Sequence, residues 1–127
     1  MTSPSGTTMY DHVGGMAFFR RLVDRFYEGV EADPVLRPMY PDDLEPGKEA
    51  LALFLGQYWG GPTTYSDTRG HPRLRMRHFP FRIAGPERDA WLHHMTAAVQ
   101  ALDLDAAAEE QMLDYFTMAA THMINAE

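Results

Sequence analysis

The chain has 127 residues, 45% of them hydrophobic, with no cysteine and a net charge of −7. That length suits one domain with a real core, and the missing cysteines exclude a disulfide framework, a thiolate zinc site and a thiol nucleophile. The acidic balance excludes a general nucleic-acid binder. The lack of a long apolar run excludes a membrane span and a signal peptide, so a soluble, cytoplasmic protein is expected.

Residues 1–8 are rich in Ser, Thr, Pro and Gly and read as a disordered tail ahead of a single domain over 9–127. Gly14 and Gly15 punctuate the chain before a first long helix, where Phe19, Leu22, Val23, Phe26 and Val30 recur at helical spacing and Tyr27 lies at the edge of the stripe. Asp33-Pro34 ends it, and a short turn through Met39 and Tyr40 follows. Pro46 is placed to open a second helix carrying Leu51, Phe54, Leu55, Tyr58 and Trp59 on one face, with Gly47 one turn before Leu51. Gly60-Gly61-Pro62 stops that helix. Residues 63–72 show no apolar period and read as a long loop, which is uncommon in a compact domain unless it serves a ligand.

Leu74 to Arg77 then offers one turn of helix, stopped by Pro80, with His78 at its end among Met76, Phe79 and Phe81. An imidazole there suits an iron ligand, with apolar neighbours for a flat ring and arginines for its acid groups. It also suits a partly buried histidine beside a solvated basic strip. Gly85-Pro86-Glu87 opens a third long helix with Trp91, Met95, Ala98 and Leu102 as its stripe, and a last helix runs from about Ala106 to Asn125 over Met112, Phe116, Ala119 and Met123. The pattern contains no strand, so the expected fold is all-α.

Tyr27, Tyr40 and Trp91 each join an apolar body to a donor tip. Three such donors on three elements either converge on one polar ligand or serve as ordinary core aromatics. The other histidines do not form a metal set: His93 and His94 are adjacent and point to different sides of a helix. Asp42-Asp43 and Glu109-Glu110 read as solvated charges, and Ser66 lies in no nucleophile motif.

Taken in order, several strings resemble the group II truncated haemoglobins: Tyr10 to Gly15, Arg25-Phe26-Tyr27, Asp33 to Pro41, Gln57 to Pro62, Arg69 to Phe81 and Glu87 to Trp91. The likeness extends from Tyr10 to Asn125. It implies a truncated globin, a two-over-two helical sandwich around haem b (iron protoporphyrin IX), with His78 as the proximal iron ligand. It places Tyr27, Tyr40 and Trp91 on the distal side as hydrogen-bond donors. Gly47 stands where ordinary globins have a distal histidine, so the pocket gate is open. Leu51, Phe54 and Leu55 line the distal wall; Met76 and Phe81 flank the ring; Tyr65, Arg75 and Arg77 are candidates for the propionates. The group often has a basic residue one turn into the second helix; Ala50 or a neighbour holds that place, with Lys48 close by.

The implied function is binding of dioxygen and other diatomic ligands at a five-coordinate ferrous iron, with slow release because preorganised donors stabilise charge on the ligand. The alternative is a haem enzyme for nitric oxide dioxygenation or peroxide turnover, which would need an external reductase. No nucleic acid or membrane is expected as a partner; a reductase and a second copy of the chain are open.

Overall fold

The computed structural model describes residues 8–78 and 80–126, except for the side chains of Leu74 and Arg75. Every regular element among these residues is helical: α1 (Met9–Val13), α2 (Met16–Ala32), a 3-10 turn (Arg37–Met39), α3 (Glu45–Tyr58), α4 (Thr64–Arg69), α5 (Leu74–Arg77), α6 (Gly85–Gln100) and α7 (Ala106–His122). The all-α expectation is met. The chain forms two compact units, one of Met1–Asp24 and Glu45–Pro72, the other of Arg25–Leu44 and Arg73–Glu127, with α2 continuous through both.

In the first unit, Thr8 caps α1: its hydroxyl accepts the Asp11 amide at 3.1 Å. The rest of the expected tail, residues 1–7, lies outside the described residues. Gly14 and Gly15 both take positive φ (110° and 71°), which lets the chain turn from α1 into α2 within two residues. Tyr10 then stacks on Phe19, and Phe19 on Trp59, each pair with centroids 6.0 Å apart. The Tyr10 amide donates to the Trp59 carbonyl at 2.9 Å. Gly61 makes this possible, since a Cβ there would lie 2.4 Å from the Tyr10 ring. The Gly60-Gly61 pair is therefore a close approach as well as a turn.

α3 buries Ala52, Phe54, Leu55 and Gly56, while Tyr58, expected on the same face, is half exposed. A Cβ at Gly56 would come 2.7 Å from the Met16 sulfur. The loop expected over 63–72 contains a helix instead. Tyr65 supplies α4 with a buried anchor against Phe54, centroids 5.5 Å apart. The Gln57 amide donates to the Ser66 hydroxyl at 2.7 Å and its carbonyl accepts the Ser66 amide at 3.0 Å. Only one residue of Thr64–Arg69 is strongly apolar, so these bonds from α3, not a hydrophobic period, define the helix.

In the second unit, α2 continues its stripe: Phe26 and Val30 are fully buried and Tyr27 nearly so. Asp33 ends the helix, and its carboxylate accepts the amides of Val35 (2.7 Å) and Leu36 (3.3 Å), opening the turn that leads to Tyr40. α6 begins with the Glu87 carboxylate accepting the Ala84 amide at 2.8 Å. It stops at Gln100, so Leu102 falls beyond it, and Asp103 takes a left-handed φ of 54°. α6 packs on α7, whose buried face is Ala108, Met112, Phe116 and Ala120. Ala120 takes the buried place expected of Ala119, and the helix ends at His122 before Met123 and Asn125.

Candidate functional site

The second unit carries His78 and the three aromatic donors. α5 is a single turn, entered through Arg73 at φ 46° and followed at once by His78. The Phe81 amide donates to the His78 carbonyl at 3.0 Å, turning the chain back after Pro80. His78 is half-buried, and Met76 (56% exposed) and Phe81 (44%) present large apolar surface on either side of it in sequence. Arg77 is exposed, and the side chain of Arg75 lies outside the described residues.

The donors cluster. The rings of Tyr27 and Tyr40 meet edge to face with centroids 5.7 Å apart. The Trp91 indole lies near the Tyr40 hydroxyl and interacts with it electrostatically. Trp91 is wedged between Phe26 (5.3 Å) and Phe116 (5.9 Å), which sets the direction of its N–H. Burial pushes the Tyr27 hydroxyl up to about 12 and Tyr40 still further, the charge of Tyr27 adding to that rise and the nearby Trp91 indole offsetting part of it. Both phenols therefore stay neutral O–H donors at physiological pH. Sequence alone left convergence and separate core roles open; the structure brings the three together.

Two supports of this cluster were not legible beforehand. The Arg37 guanidinium donates to the carbonyls of Tyr40 (3.2 Å), Pro41 (3.0 Å) and Asp42 (3.2 Å), tying the loop that presents Tyr40. One turn after Trp91 on α6, the His94 ring donates from Nε2 to the Asp33 carboxylate at 2.6 Å. Asp33 also caps the turn before Arg37, so α6 is tied to the same turn that leads to Tyr40.

The first unit carries the remaining predicted residues. Gly47 is the third residue of α3 and half-buried, as is Leu51. Phe54, Leu55 and Tyr65 are buried, Tyr65 edge-on to Phe54. The Lys48 ammonium is occupied with the carboxylates of Glu45 (3.3 Å) and Asp24 (3.8 Å).

The pattern of the bacterial-like globins matches residues 8–125. The group 2 truncated haemoglobin YjbI of Bacillus subtilis (strain 168) is 40% identical over 111 residues, 87% of this chain and 84% of that protein. The chain belongs to the bacterial-like globin family, as a group II truncated haemoglobin. Solved structures agree with the assignment. A thermostable haemoglobin from the actinobacterium Thermobifida fusca is 62% identical, with a TM-score of 0.92 over 94% of this chain and 98% of that one. The group II truncated haemoglobin of Bacillus anthracis is 37% identical, with a TM-score of 0.91 over the same shares. The fold is thus that of a truncated globin, and membership implies haem binding and, through haem, binding of small ligands such as oxygen. Among the described residues no helix of this truncated haemoglobin is long and apolar enough to cross a membrane.

Proposed function

We propose that this truncated haemoglobin binds haem b through His78 and takes up dioxygen and other diatomic ligands, releasing them slowly. The residues present suit the group: one half-buried imidazole between apolar Met76 and Phe81, and three uncharged donors gathered in the same unit. Haem, when bound, would supply an iron that an imidazole can hold and that can take up a diatomic ligand. Arg75 and Arg77 are the candidates for its propionates, with Tyr65 as a third group. Leu51, Phe54 and Leu55 supply apolar wall in this proposal, and Gly47 the small residue at the ligand's entrance.

The observation that carries the proposal is the cluster of Tyr27, Tyr40 and Trp91. Ring packing holds the three aromatic bodies in place before any ligand arrives, so only a hydroxyl rotation is needed to meet a partly negative atom. Arg37 and the His94–Asp33 pair hold the backbone on which two of the three sit.

The test is reconstitution with haem b. The parent should give a Soret band and a ferrous spectrum typical of a single histidine ligand, and His78→Ala should lose that signature. His71, His93, His94 and His122 should be replaceable with the signature kept. A histidine-ligated spectrum persisting in His78→Ala would overturn the ligand assignment.

A further inference from the structure

Asn125 lies 47 residues after His78, beyond the end of α7, yet its side chain closes on the His78 segment. Its amide nitrogen donates to the carbonyls of His78 (3.3 Å) and Phe81 (2.9 Å), and its amide oxygen accepts the Ile83 amide at 2.8 Å. The Asn125 and Ala126 main-chain amides both donate to the Ile83 carbonyl, at 2.9 and 3.1 Å. One carboxamide thus satisfies two carbonyls and one amide of a stretch without regular structure, where Pro80 contributes no donor. The far end of that stretch is fixed as well, for Ile83 and Ala84 are buried.

We propose that Asn125 is a positioning residue for the iron ligand: it holds the His78 backbone so that the imidazole stands at one height and one rotation. The inference rests on His78 being that ligand. The chemistry requires an amide in this place. Two N–H groups meet two carbonyls while one oxygen meets an N–H, a set that no other side chain of this length provides. An aspartate would keep the acceptor for Ile83 but turn an oxygen toward two carbonyls. An alanine would leave all three groups without this partner. Groups that orient a metal-bound histidine typically change metal affinity by about 10- to 100-fold when removed.

The experiment uses the haem-loaded protein with Asn125→Ala and Asn125→Asp, read by the iron–histidine stretching band of the ferrous form and by haem transfer to an acceptor apoglobin. Both variants should shift or broaden the band and lose haem about 10-fold or more faster. In the haem-free protein the Ile83 amide should exchange faster in Asn125→Ala and remain protected in Asn125→Asp. A decisive arm uses His78→Gly with free imidazole as the ligand, which is not tied to the backbone. There Asn125→Asp should leave the iron–imidazole band where it is. An unshifted band and parental haem loss in both folded variants would overturn the proposal. So would a shift that persists with free imidazole, because the effect would then be general loosening. If His78→Gly alone kept the parental histidine band, the failure would lie with the ligand assignment instead.

Discussion

The imidazole of His94 fills the space that a side chain on Gly29 would take. A Cβ built on Gly29 would lie 2.3 Å from His94 Nδ1, 2.7 Å from Cγ and 3.1 Å from Cβ. The ring cannot swing aside without giving up its 2.6 Å bond to Asp33. Gly29 sits within α2, where replacing glycine by alanine ordinarily gains about 0.5–1 kcal/mol. Overpacking ordinarily loses about 1–3 kcal/mol. The second effect should win, so Gly29→Ala should lower stability in urea or thermal unfolding. In a His94→Ala background the ring is gone and only the 3.1 Å Cβ contact remains. There the same Gly29→Ala change should lose much less, a coupling that a double-mutant cycle measures directly. Equal losses in both backgrounds would mean the notch does not matter.

The phenols of Tyr27 and Tyr40 give a pH signature. Burial holds the Tyr27 hydroxyl at about 12 against an ordinary 10.0, and Tyr40 moves further the same way. A group whose folded value is raised favours the folded state fully below its ordinary value and loses that contribution as pH rises through the folded one. Stability should therefore fall between about pH 10 and 12, in part because these protons must leave. Tyrosinate absorbance should show two phenols ionising late, together with unfolding. Tyr27→Phe removes one such proton and should unfold at higher pH than the parent; a lower alkaline midpoint would argue against a buried neutral phenol.

The helices were legible where one chain segment carries its own period. Phe19, Leu22, Val23, Phe26 and Val30 announce α2 because each repeats on one face, and all five are essentially buried. α4 was not legible, because Tyr65 has no apolar companion in it and its bonds come from Gln57, nine residues earlier. The family likeness pointed to Tyr27, Tyr40, Trp91 and His78, whereas Arg37, His94 and Asn125 were silent. Nothing local in the sequence singles out an arginine four residues after Asp33, a histidine in a His-His pair or an asparagine near a helix end. Their partners lie 61 residues away for His94 and 47 for Asn125, and no local pattern encodes such pairings.

Gly47 offers a test of ligand entry. It lies in the first turn of α3, where the helical backbone is one that ordinary L side chains adopt. If the missing side chain keeps a route open, Gly47→Leu should slow carbon monoxide association in flash photolysis. Each increment of about 1.4 kcal/mol in the entry barrier slows it by about tenfold. Thermal unfolding should change little. An association rate equal to the parent's would place the route elsewhere.

In the proposed function the donor cluster slows oxygen release. A hydrogen bond to a charged partner is worth roughly 1.5–3 kcal/mol. Losing one that is fully broken on ligand escape should speed oxygen release by about 10- to 150-fold. Carbon monoxide carries less charge on its outer atom, so its release should change far less. Tyr27→Phe and Trp91→Phe delete the donor tips and keep aromatic bodies. The two changes differ in their side effects. Tyr27 meets Tyr40 edge to face, and phenylalanine preserves that contact. The Trp91 indole also interacts with the Tyr40 hydroxyl, so Trp91→Phe leaves that hydroxyl free to turn toward the ligand. Compensation by Tyr40 should make the Trp91→Phe effect the smaller one. In the double variant only Tyr40 remains, and the combined effect need not be the sum. Adding Tyr40→Phe removes the last donor of the cluster and should give the fastest oxygen release of the series, measured by stopped flow with a carbon monoxide trap. If the triple variant still releases oxygen at the parent rate, these three residues are core aromatics and the proposed donor role falls.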